Sequence, residues 1–144
     1  MTKDRPDHHD AELMIKVYDL RREATMRKAR EAITFQFFPR SWEDLAAVLK
    51  LEHPLNAAYR QVGSYWEMVY GMVRHGIVNA DYFLEINGEG LFLFVKVEPW
   101  LEQLRRETSP FAFRNAEWVA RQTERGRLAH EAIKARVARM AQAR

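Results

Sequence analysis

The chain of 144 residues contains no cysteine. That excludes a disulfide framework, a thiolate metal site and a thiol nucleophile. Glycine (6) and proline (5) are scarce, which argues against a linker-rich chain and against a many-turned β-sandwich. No apolar run approaches the ~20 residues that span a bilayer. The longest, Leu91-Phe92-Leu93-Phe94-Val95, is stopped by Lys96. The first ten residues are polar and lack the apolar core of a secretory signal, so a soluble cytoplasmic protein is expected. Nucleotide-binding loops are missing too. There is no Gly-rich loop ending in Lys-Ser/Thr, and Gly88-x-Gly90 has neither a third glycine nor a preceding strand. No Gly-x-Ser-x-Gly occurs, so the nucleophile elbow of hydrolases is absent.

What is present is globular in character, with 47% hydrophobic and 30% charged residues. The length fits a single domain over residues 1–144. The net charge of +3 is uneven. Residues 121–144 carry seven basic and two acidic side chains, a balance of +5, which leaves −2 for the 120 residues before them. The basic stretch 125–144 reads as a C-terminal helix. Arg121, Arg125, Arg136 and Arg139 fall roughly on one flank of the last helix, expected to begin near Phe113, and are candidates for binding an anion. The alternative is a solvated face whose cations suit a helix C-terminus.

Residues 8–38 hold no glycine or proline and read as one long first helix, closed by Phe38-Pro39. It carries two apolar stripes, Leu13-Val17-Leu20-Ala24 and Ile15-Tyr18-Met26-Ala29-Ile33-Phe37, so more than one neighbour is expected to pack on it. Ser41 caps a short second helix that ends near Pro54. The third helix, 55–75, is the clearest. Leu55, Tyr59, Val62, Trp66, Val69 and Val73 recur at steps of four and three, and Gly76 follows as a stop. Asn79 caps a fourth helix, interrupted at Gly88–Gly90. Residues 91–97 read as helix rather than strand, because a lone strand has no partner elsewhere in the chain. After the break at Thr108-Ser109-Pro110, a long last helix is expected from Phe113 to the C-terminus, with Gly126 on its apolar stripe marking a close approach or a kink. The fold class is therefore an all-α, single-domain bundle of about five helices with a long first and last helix, and residues 1–9 are expected to fray.

Three groups carry chemistry worth weighing. His8 and His9, with Asp7, Asp10 and Glu12, form the one dense set of metal-ligand types, and His8 and Glu12 lie one helical turn apart. On a frayed terminus the set is only polar, so no metal and no cofactor is expected. Glu67 stands between Gly63 and Gly71, which would let another helix press close to its carboxylate. Two placements are open: burial against Arg21 or Arg22 of the first helix, or exposure opposite Val62, Trp66 and Val69. Tyr59, Tyr65, Trp66 and Tyr70 would line a pocket at Glu67 if one exists. No residue is assigned to catalysis.

Tyr65-Trp66-Glu67, Gly76-Ile77-Val78-Asn79, Trp100, Arg105-Arg106 and Asn115-Ala116-Glu117-Trp118 together resemble a family of small, mostly bacterial, all-helical proteins known only as a domain of unknown function. The likeness spans about residues 10–120. It implies an all-α fold and brings no activity with it. The leading functional reading is a helical protein-interaction module, self-associating as a dimer, because the first helix and residues 91–97 supply more apolar surface than a small bundle covers. The rivals are nucleic-acid or anionic-surface binding through the basic tail, and ligand binding or catalysis around Glu67.

Overall fold

Side-chain caps start five of the helices. Asp7 accepts from the N–H groups of His9 and Asp10 and opens α1 (His8–Arg21). Glu23 accepts from Thr25 and Met26 and opens α2 (Ala24–Gln36). Ser41 accepts from Asp44 and opens α3 (Trp42–Val48). Asn79 caps α5 (Ala80–Leu84) and Thr123 caps α9 (Glu124–Gln142). Between these lie α4 (Asn56–Arg74), α6 (Leu91–Val97), a 3-10 turn (Glu98–Trp100), α7 (Leu101–Glu107) and α8 (Arg114–Gln122). The computed structural model describes residues 3–144, and among them there is no strand.

The all-α class is as the sequence implies, but the count and the long end helices are corrected: the described residues form nine α-helices and one 3-10 turn. The expected first helix is two. Glu23 turns extended (ψ 143°) and spends its carboxylate on the next two free N–H groups, so a cap replaces continuation at a site with neither glycine nor proline. The expected last helix also divides. Thr123 is extended (φ −116°, ψ 144°), and its hydroxyl donates to the Val119 carbonyl (2.7 Å) while accepting from the Gly126 N–H (3.0 Å). At Gly126 a β-carbon would lie 1.9 Å from the Val119 carbonyl oxygen, so the seam between α8 and α9 requires glycine.

The core forms around α4, which buries Val62, Tyr65, Trp66, Val69, Tyr70 and Val73 and packs against α2 and α8. Every residue of α6 is buried, among α2, α8, α9 and the 3-10 turn. The glycine at its start has a steric cause: a β-carbon on Gly90 would sit 2.7 Å from the Trp66 ring and 2.8 Å from the Tyr70 ring.

The amino-terminal stretch is tied down rather than frayed over its described part; residues 1 and 2 of the expected 1–9 lie outside the described residues. Asp10 is wholly buried. It takes the Lys3 ammonium at 2.7 Å and the Asn79 N–H at 3.1 Å, while the Asn79 side chain donates to the Lys3 carbonyl at 2.8 Å. The same carboxylates, Asp10 first and then Asp7, raise the Lys3 ammonium above its ordinary pKa. One residue, Asn79, thus caps α5 and anchors the start of α1.

Candidate functional site

Glu67 projects from α4 beside Gly71, where a β-carbon would come within 3.0 Å of the Asn115 amide nitrogen. The missing side chain lets the N-terminus of α8 reach the carboxylate. Oε2 accepts from the Asn115 N–H at 3.0 Å and Oε1 from the Ala116 N–H at 2.8 Å. The Asn115 side chain returns a bond to the Glu67 carbonyl at 2.9 Å. Phe113, the residue at the cap position of α8, is left-handed (φ 57°) and makes no side-chain cap bond. A carboxylate from another helix fills that role and meets the positive end of the helix dipole. Burial raises the Glu67 pKa, and the two N–H donors with Arg105 and Arg74 pull it down.

The partner expected for Glu67 is thereby corrected. Neither Arg21 nor Arg22 meets it, because the α4 face toward α1 is that of Tyr65 and Trp66, and Glu67 stands about 100° around the helix from Trp66 and about 160° from Tyr65. The buried Arg21 guanidinium lies over the Trp66 ring (5.6 Å) and the Tyr18 ring (5.4 Å), and the exposed Arg22 lies over Tyr18 (5.6 Å). With both oxygens accepting main-chain bonds, Glu67 has the geometry of a helix cap rather than of a general base.

The four aromatic residues do not line one pocket. Tyr65 and Tyr70 are core residues whose hydroxyls donate to the carbonyls of Val17 and Asn87, the latter at 2.7 Å. Burial raises both phenols, as it does Tyr59. Trp66 is buried with its indole N–H unpaired. Tyr59 alone of the four shares with Glu67 a shallow hollow of about 180 Å³, closed by Gly63, Ala112 and Phe113.

The arginine flank is also corrected. Arg121 belongs to α8, where it pairs with Glu117 (2.8 Å) and lies 3.7 Å from Glu98. Arg125 faces Asp81 at 3.4 Å, and Arg136 covers the Phe92 ring at 5.1 Å. Arg139 is exposed on α9. The break at Thr123 separates the first of the four from the others.

Lys96 escaped the sequence reading. It is 4% exposed, and its ammonium donates to the Ile33 (2.7 Å) and Thr34 (3.0 Å) carbonyls near the C-terminal end of α2. It also stands 3.9 Å from the centre of the Phe38 ring. Burial, with the Arg144 charge adding to it, pushes its pKa down to about 8. A lysine inside an apolar run is the signal that was available. It read as the end of the run, whereas α6 continues through it and uses it to cap a neighbour.

Apolar surface remains uncovered on α1. Ile15 is 69% exposed and Tyr18 46%, one turn apart on one flank, and Leu20 is 49% exposed on another. The other exposed large hydrophobic side chains are scattered, from Phe35 on α2 to Leu128 on α9. No helix among the described residues is long and apolar enough to cross a membrane.

No curated protein and no solved structure matches the chain. A family model described as a domain of unknown function, DUF4760, matches residues 6–123, from just before the Asp7 cap to the Thr123 seam. That match takes in the Glu67 cap on α8 and leaves α9 beyond its end, and with most of the chain inside it, this protein belongs to the DUF4760 family.

Proposed function

We propose that this protein is a cytosolic helical interaction module, one folding unit that self-associates as a two-fold dimer through the outer face of α1. The observation that carries the reading is the exposure of Ile15 and Tyr18 on a helix whose other side, at Val17, is buried. Adjacent apolar side chains left in water favour an interface, and a two-fold pair is the commonest way to cover one. Lys16, Asp19 and Arg22 surround them and are exposed, so both signs of charge are at hand for an antiparallel copy of the same helix. Anionic-surface binding ranks second, since Arg139 is exposed but Arg121 and Arg125 already face carboxylates.

Sedimentation equilibrium at tens of micromolar tests the reading. A mass near twice that of the 17.0 kDa chain supports it, and a strict monomer overturns it.

A further inference from the structure

We propose that His8, His9 and Glu12 form a binding site for a divalent late transition ion, Zn²⁺ above all, at the outer end of α1. The inference is independent of self-association, because all three ligands come from one chain.

One imidazole nitrogen from each histidine and one Glu12 oxygen lie within 4.8 Å of one another. Among the described residues this is the one such group of three. The His8 and His9 rings are already side by side, with centroids 4.0 Å apart. Glu12 follows His8 by one turn, which puts both on the same helix surface. Around a tetrahedral Zn²⁺ the donor atoms stand about 3.4 Å apart. All three side chains are exposed and free to rotate toward a shared ion.

A histidine cluster at a loose chain end would lose most of its affinity to the cost of ordering it. Here that objection falls. The first turn of α1 is fixed from beneath by the buried Asp10, which holds Lys3 and the Asn79 N–H, and from its end by the Asp7 cap. Asp10 points into the body while His8, His9 and Glu12 point out, so the anchor and the ligands use different sides of one turn. The positive end of the helix dipole disfavours a cation; the Glu12 carboxylate among the ligands opposes it.

The donor set selects the metal. Two imidazoles with one carboxylate suit Zn²⁺, Cu²⁺, Ni²⁺ or Co²⁺, whereas Mg²⁺ and Ca²⁺ ask for oxygen ligands throughout. Three protein ligands leave coordination positions for water or for a donor from another molecule.

The experiment is calorimetric titration of the full, tag-free chain with Zn²⁺, with Mg²⁺ as the comparison ion. One Zn²⁺ per chain at micromolar affinity is expected, with no Mg²⁺ uptake in the same range. His8→Ala, His9→Ala and Glu12→Gln should each weaken Zn²⁺ at least tenfold. His75→Ala removes an exposed imidazole at the far end of α4 and should leave the affinity unchanged. Circular dichroism of each variant shows that the fold persists. Zn²⁺ binding weaker than about 1 mM, or an affinity unaltered by His8→Ala and Glu12→Gln, overturns the site.

Discussion

Two helices look alike in the sequence and end differently in the molecule. Residues 91–97 are apolar apart from Lys96, and α1 carries apolar residues on more than one side. All of α6 is buried, because α2, α8, α9 and the 3-10 turn surround it. α1 lies at the edge, and only its Val17 side reaches the core. The break at Glu23 makes the difference. The stripe Ile15-Tyr18-Met26-Ala29-Ile33-Phe37 would be continuous on one helix. Once divided, its α2 part (Met26, Ala29, Ile33) packs inward with Phe37, and its α1 part (Ile15, Tyr18) faces water. Apolar supply shows that a surface must be covered somewhere; neighbours decide whether the same chain does it. Half of the surplus that suggested a partner is therefore absorbed internally, and the α1 half is what remains.

The contrast predicts unequal mutations. Phe94 in α6 is fully buried against Phe113 and His130. Phe94→Ala should cost about 3–5 kcal/mol in a urea titration, the usual loss for a large core side chain; a cost below 1 kcal/mol would mean α6 is not enclosed. Glu67→Ala strips two N–H partners from the start of α8 and should cost about 2 kcal/mol, and Glu67→Gln should recover only part of it, because an amide has one accepting oxygen where the carboxylate uses two. A neutral Glu67→Ala would show that α8 does not depend on this cap.

Lys96 predicts a smaller effect with a definite sign. Its folded pKa of about 8 lies below the ordinary 10.5. Between those values the unfolded chain binds the proton more tightly, so the stability carried by this group rises with pH. Urea midpoints of the wild type relative to Lys96→Met should therefore climb from pH 8 to pH 10, and a flat or falling difference contradicts the buried ammonium. Smallest of all, Ile15→Ala should change the stability of the monomer by no more than about 0.5 kcal/mol, since the side chain loses little contact. A loss like that of Phe94 would place Ile15 in a core.

Much of this was legible in the residues, for physical reasons that differ from place to place. The α4 stripe could be read because Val62, Trp66, Val69 and Val73 keep one helical period and are all buried. Ser41 and Asn79 are residues whose short side chains favour caps, and both cap. Glu23 was missed because glutamate is a rare cap and no glycine or proline stands beside it, whereas at the second break Gly126 announced the close approach but not that Thr123 would cap a new helix there. At Glu67 the flanking Gly71 correctly announced a close helix, but not that the helix would arrive end-on and offer N–H groups in place of a guanidinium. Long-range bonds such as that of Lys96 to Ile33 leave no trace in local spacing.

The central claim is that the outer face of α1 is where a second copy docks. Sedimentation equilibrium of the wild type, Ile15→Glu and Met68→Glu tests it directly, since Met68 is also an exposed apolar side chain but lies on α4. Dimers are predicted for the wild type and Met68→Glu, with Ile15→Glu monomeric and still folded. A wild-type monomer, or a dimer that survives Ile15→Glu undiminished, would contradict the account.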